Sequence, residues 1–215
     1  TPAPAPRRDV RANLLVLGIV GLVLGVGGVA LWRQGAAAGR ATAVVTADST
    51  RGQRIAVLPF ENLGDSADAY FADGMTDAVR GKLSGVHGMQ VTARTSSVQY
   101  RDASKTPQQI GEELGVDYLL TGTVSWSKSG GTSRVRVNPE LVEVRTGSSK
   151  WQQPFDAALT DVFQVQSEIA AKVSQSLGVV LAAKEETRLS ERPTENLSAY
   201  DAYLKGEEAS GGMSA

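Results

Sequence analysis

The chain has 215 residues, 41% of them hydrophobic and 21% charged, which suits one packed domain with appendages rather than two full domains. A formal net charge of −1 gives no overall field for drawing the chain onto nucleic acid, and no basic face is apparent. The absence of cysteine excludes disulfides, thiolate catalysis and cysteine-ligated metals, and one histidine, His87, excludes a multi-histidine metal site.

Residues 1–12, beginning TPAPAPRRDVR, alternate Pro and Ala beside arginines and have nothing to bury, so they read as an extended tail. The start at Thr1 is expected of a processed product or of a piece of something longer. Leu14–Trp32 is a run of 19 uncharged residues within a predicted transmembrane helix over 13–33. At 1.5 Å per residue the run is roughly 28 Å long, close to the hydrocarbon thickness of a bilayer. Trp32 and Arg33 suit a membrane-interface anchor, because an indole prefers the headgroup layer. A signal peptide is the alternative: Ala36-Ala37-Ala38 imitates its cleavage site, but its apolar core is shorter. Arg7, Arg8 and Arg11 precede the helix and Arg33 and Arg40 follow it. That bias places the N-terminus in the cytoplasm and the rest in the periplasm, across a bacterial inner membrane.

Gly18, Gly21, Gly25 and Gly28 fall on one face of this helix, with Gly21 and Gly25 as a GxxxG pair. Such a face lets a second membrane helix approach closely, although glycine is also common in membrane helices generally.

Residues 34–53 are rich in Ala, Thr and Gly and read as a linker. A folded domain is expected over 54–184. Arg54–Phe60 is a buried strand by length and flanks, stopping at Pro59. Tyr70, Phe71, Met75, Val79 and Leu83 recur at helical spacing up to Gly85. Met89–Ala93 is a second strand. Thr106-Pro107-Gln108-Gln109 has the form of a capping box and opens a helix that stops at Gly115. Tyr118–Trp126 and Ser133–Val144 are further strands around a hairpin turn at Ser129-Gly130-Gly131, and Pro139 predicts an edge or a bulge. A fifth strand is expected at Trp151–Phe155. Val162, Val165, Ile169, Val173, Leu177 and Val180 mark a final helix opened by Thr160 or Asp161. The order β-α-β-α-β-β-β-α predicts an α/β fold, one mixed sheet with helices packed on it, preceded by the single transmembrane helix.

Several segments then resemble the TolB N-terminal-like domain family. They are Ile55–Phe60 with Glu61-Asn62, Tyr70–Thr76, Ala93–Ser97 as a loop, Ile110–Tyr118 and Phe163–Ala170. The resemblance implies an accessory module without catalytic residues, found in bacterial membrane receptors beside kinases, cyclases and DNA-binding regulators. Asn196–Gly206 resembles the first helix of a tetratricopeptide repeat, within a C-terminal tail over 185–215 that is too short for a solenoid.

No residues suggest chemistry. Asp65, Asp68, Asp73 and Asp77 lack the alternating spacing of a calcium loop and suit a helix start. Glu112 and Glu113 are adjacent on a helix and point to different faces. His87 sits in a Gly-flanked turn and reads as a surface histidine. Ser129-Gly130-Gly131-Thr132 lacks the lysine of a phosphate loop. The expectation is a non-enzyme without cofactor or metal, whose partners are other membrane-protein subunits and the lipid bilayer, with no nucleic acid. The reading favoured is an accessory subunit of a larger membrane assembly, for example photosynthetic or respiratory, recruited through the glycine face. The alternative is the extracytoplasmic sensory half of a kinase- or cyclase-type receptor.

Overall fold

The computed structural model describes residues 52–101, 103–127 and 133–212. The tail, the expected membrane helix with Gly18, Gly21, Gly25, Gly28, Trp32 and Arg33, and the hairpin turn at Ser129-Gly130-Gly131 lie outside them. Among the described residues no helix is long and apolar enough to cross a membrane.

Seven strands form one mixed sheet: β1 (Gln53–Val57), β2 (Glu61–Asn62), β3 (Met89–Val91), β4 (Tyr118–Ser127), β5 (Arg134–Glu143), β6 (Ser148–Gln152) and β7 (Phe155–Ala158). The order is β3-β1-β4-β5-β6, with β2 paired to β4 and β7 paired to β5. The β1–β3, β1–β4 and β2–β4 pairs are parallel; those around β5 are antiparallel. Helices α1 (Ala69–Ser84), α2 (Arg94–Ser97), α3 (Pro107–Leu114), α4 (Val162–Ser176), α5 (Ala183–Ser190) and α6 (Leu197–Gly212) complete it. The expected mixed sheet with helices packed on it is therefore present.

β1 is buried on both faces because helices cover both. Ile55 and Val57 join the main core with Met75 and Val79 of α1 and Phe163, Ile169 and Val173 of α4. Ala56 and Leu58 join a smaller cluster with Ile110 of α3, Tyr100, Val116 and Val144. That explains why β1 is a continuous apolar run rather than an alternating one. β5 alternates instead: Val135 and Val137 are buried while Arg134 and Arg136 are exposed, since no helix covers that side.

Local signals act where the sequence placed them. The Thr106 hydroxyl accepts from the Gln109 backbone N–H at 3.3 Å, and the Gln109 side-chain Oε1 accepts from the Thr106 backbone N–H at 2.9 Å. Gly115 ends α3 with φ at +66°, a conformation that favours a residue without Cβ.

Three expectations need correction, and the one for Pro139 holds for the edge and not for the bulge. Ala93–Ser97 is not a plain loop, since Arg94–Ser97 forms one helical turn. The fifth strand is broken inside its expected span, into β6 and β7 either side of Gln153-Pro154. Pro139 is not at the bulge, which lies between Leu141 and Val142, but it takes the expected edge position, because β5 has no outer partner at Asn138 and Pro139. It falls where β5's outer neighbour passes from β7 to β6, so two residues without N–H groups share one gap in the ladder. Val180 does not extend α4, because Gly178 turns the chain at φ +71° and Val180 is 90% exposed.

The span 185–215, expected to be a tail with a repeat-like helix over Asn196–Gly206, holds most of α5 and all of α6, which covers Leu197–Gly212. Leu189 and Leu204 from these helices are buried in the main core.

Candidate functional site

The C-terminal helices dock onto α1 and α4 and leave a groove of about 590 Å³ beside α1. Gly74 of α1 makes the close approach possible: a Cβ there would lie 2.4 Å from Leu204 Cδ2. Tyr200 of α6 packs edge-on against Phe163 of α4, with ring centroids 4.8 Å apart, and its hydroxyl accepts from Gln166 Nε2 at 3.1 Å. One turn of helix separates Tyr200 from Leu204, so both reach the core from one face.

A polar clasp lies beside this apolar seam. The Tyr70 hydroxyl donates to Asp201 Oδ1 at 2.5 Å, and Lys205 pairs with Asp201 at 2.7 Å. The Lys205 ammonium also sits 5.3 Å from the centre of the Tyr70 ring. Burial and then the Asp201 hydrogen bond push the Tyr70 phenol well above its ordinary pKa. Lys82 ties down the other bank, with Nζ donating to the carbonyls of Leu189 at 2.5 Å and Glu191 at 3.1 Å. Burial holds this ammonium below the usual lysine pKa, with the Glu191 carboxylate pulling the other way.

The clasp predicts alkaline weakening. Tyr70's pKa is raised in the folded state, so its contribution is present below about pH 10, the usual tyrosine value. It is lost as pH rises toward the elevated folded value, because a phenolate cannot donate to Asp201. A urea series from neutral pH to above 10 should show a steeper loss for the wild type than for Tyr70→Phe. Equal slopes would show that Tyr70 does not hold α6.

The candidate acids are spent on structure. Asp65 Oδ1 accepts from the Ala67 N–H at 2.9 Å, and Asp68 is buried just before α1. Asp73 pairs with Arg101 at 2.6 Å, and Asp77 bridges Arg80 and Arg94, each at 2.9 Å. Glu113 accepts from Lys105 and Tyr100, and Lys105 leads in holding its carboxyl below the usual range. His87 engages through its backbone N–H, which donates to Glu185 Oε1. No group of acids and histidines suited to holding a metal occurs among the described residues.

Sequence reasoning missed this groove. The Tyr200, Asp201 and Leu204 spacing was the one local signal for an inward face on α6. Nothing local pairs Tyr70 with Asp201, which is 131 residues away.

No protein-family model matches the chain. A curated relative from Rhizobium meliloti (strain 1021), "Putative adenylate cyclase 3", is 37% identical over 156 residues, or 72% of this chain. The chain spans only 26% of that relative's length. Among solved structures, TolB from Acinetobacter baumannii matches at 15% identity with a TM-score of 0.47, over 62% of this chain and 30% of that one. A PelC dodecamer from Paraburkholderia phytofirmans matches at 21% identity and a TM-score of 0.43, over 60% of this chain and 90% of that one.

Proposed function

We propose that this chain is a non-catalytic protein-interaction module, held at the outer face of a bacterial inner membrane as the sensory half of a cyclase-type signalling protein. The observation that carries this reading is the match to the cyclase-named relative, which occupies a quarter of that protein and leaves ample length for a catalytic part elsewhere. The domain itself supports a non-enzymatic role: Asp73, Asp77 and Glu113 are held in ion pairs rather than poised for proton transfer. What remains accessible is a groove lined by tyrosine and arginine, residue types that anchor protein contacts.

A second reading, the accessory subunit of a larger membrane assembly, draws on the stripe of Gly18, Gly21, Gly25 and Gly28. The two readings share a topology, with Arg7, Arg8 and Arg11 in the cytoplasm. Protease added to intact spheroplasts is expected to trim the domain and spare the Arg7–Arg11 side. Protection of the domain would reverse the topology. The chain incubated with ATP is expected to form no cyclic nucleotide, and product formation would overturn the non-catalytic assignment. Gly21→Leu with Gly25→Leu separates the two readings. As an accessory subunit, the double variant loses about 1–3 kcal/mol of helix packing and drops out of its assembly on a native gel.

A further inference from the structure

We propose that the sheet face beyond α3 binds a small linear polyamine, held at its two ends by Glu61 and Glu140. This site is separate from the groove beside α1, and the interaction-module reading stands or falls without it.

Its position follows from the topology. The chain leaves β1 through α1 to reach β3 on one side, and returns through α3 to β4 on the other. α1 packs into the main core and α3 into the smaller cluster, so the two crossovers lie on opposite faces. In open α/β sheets, ligands sit in the crevice beyond the carboxyl ends of the strands, where the strand order reverses. That place holds a trough of about 590 Å³, a usual size for a small-molecule site. Leu58 and Pro59, at the end of β1, line it on one side, and the crossover at Tyr100, Arg101 and Ala103 lines it as well.

The floor of the trough is polar. α3 covers this face as far as Leu119 and Val144. Beyond them, Thr121 and Thr123 of β4 pair in register with Glu140 and Asn138 of β5. All four are half-buried, whereas Arg134 and Arg136, further along the same face, are exposed. Asn138 Nδ2 donates to Thr123 Oγ1 at 3.2 Å, which leaves the amide oxygen turned to other partners. A half-buried carboxylate is normally paired, yet Glu140 makes no ion pair among the described residues.

Charge and spacing select the ligand. Glu61 of β2 pairs in register with Thr123, so it stands on the same face, and it too has no ion pair among the described residues. Arg101, the one basic side chain among the described lining residues, is held by Asp73 at 2.6 Å. Arg134 and Arg136 are held by Asp156. The trough therefore offers two uncompensated carboxylates with hydroxyl and amide oxygens between them. Glu61 and Glu140 lie two strands apart across the sheet and two residues apart along it, so their Cα atoms are about 12 Å apart. One ammonium cannot meet both. A triamine such as spermidine spans the distance when extended, with its middle amine over the threonine hydroxyls. Putrescine is too short.

The test dialyses radiolabelled spermidine to equilibrium against the full chain in a non-ionic detergent, at physiological salt, where loose counter-ion binding is screened. One saturable site per chain is expected, with putrescine binding about tenfold more weakly for want of one charge-assisted hydrogen bond. Glu140→Gln keeps the side-chain shape and should lower the spermidine affinity about tenfold. Glu61→Gln, at a more exposed position, should lower it by less. Glu186→Gln, exposed on α5, should leave it unchanged. Urea midpoints check that each variant is folded, and the comparison of the two amines needs no variant.

Absence of a saturable site overturns the proposal, as does equal affinity in Glu140→Gln and Glu186→Gln. Equal binding of putrescine and spermidine overturns it too, because the two carboxylates then do not act together. Saturable binding of neutral maltose in place of spermidine would assign the trough to a sugar and overturn the amine.

Discussion

Phe163→Ala is expected to cost the domain about 3–5 kcal/mol, the usual range for deleting a buried aromatic ring. Phe163 is 2% exposed and sits on α4 between the main core and the Tyr200 ring. Truncation removes its transfer free energy and leaves a cavity that two docked helices cannot collapse without losing their own contacts. Against a typical total of about 5–15 kcal/mol, that is a large share of the stability. Gly52–Ala215 is a compact unit of its own, so the measurement suits that fragment expressed alone. Its urea midpoint should fall sharply with an unchanged slope. Phe163→Leu, which keeps most of the volume, should cost less than about 1.5 kcal/mol. Because the two rings touch, Phe163→Ala and Tyr200→Ala together should cost less than the sum of the singles. A loss below about 1 kcal/mol for Phe163→Ala would show that α6 is not seated as described.

The second large effect concerns α6 itself. A fragment ending at Arg192 keeps the whole sheet and both main-core helices, so it should still fold cooperatively. It lacks Leu204, Tyr200 and the Asp201 acceptor, and should be less stable than the longer fragment by about 3 kcal/mol, of which burying one leucine accounts for roughly two-thirds. Gly74→Ala gives this prediction a sign that simple damage cannot mimic. In the longer fragment the new methyl collides with Leu204 and destabilises. In the fragment without α6 the same change meets no leucine and gains up to about 1 kcal/mol of helix propensity. The same sign in both fragments would mean that Leu204 does not occupy the Gly74 notch.

These effects converge on one consequence for function. α6 meets the domain through Leu204 in the Gly74 notch, through Tyr200 against Phe163 and Gln166, and through the Tyr70–Asp201 clasp; Gly74, Leu204, Tyr200, Gln166 and Tyr70 line the groove. Whatever occupies the groove therefore touches the elements that hold α6 in place. A ligand that favours docked α6 stabilises the domain by its differential affinity for that state, and no more.

Much of the fold is written locally. The apolar run at Ile55–Phe60 determined a strand buried on both sides, the period of Tyr70, Phe71, Met75, Val79 and Leu83 determined α1, and Thr106 to Gly115 determined α3 with both of its caps. Periodicity and capping act between residues a few positions apart, so one stretch of sequence contains the whole cause. Tertiary structure decided the rest. Pro154 splits the last strand because it lies across a gap that also holds Pro139, a fact about strand register rather than about either residue. Asp73 and Asp77 look like a run of free acids until the fold brings Arg101 and Arg94 to them. The groove depends on Gly74 meeting Leu204 and Tyr70 meeting Asp201 across most of the domain. Such contacts exist only after chain entropy has been overcome by burial elsewhere, and no local pattern carries them.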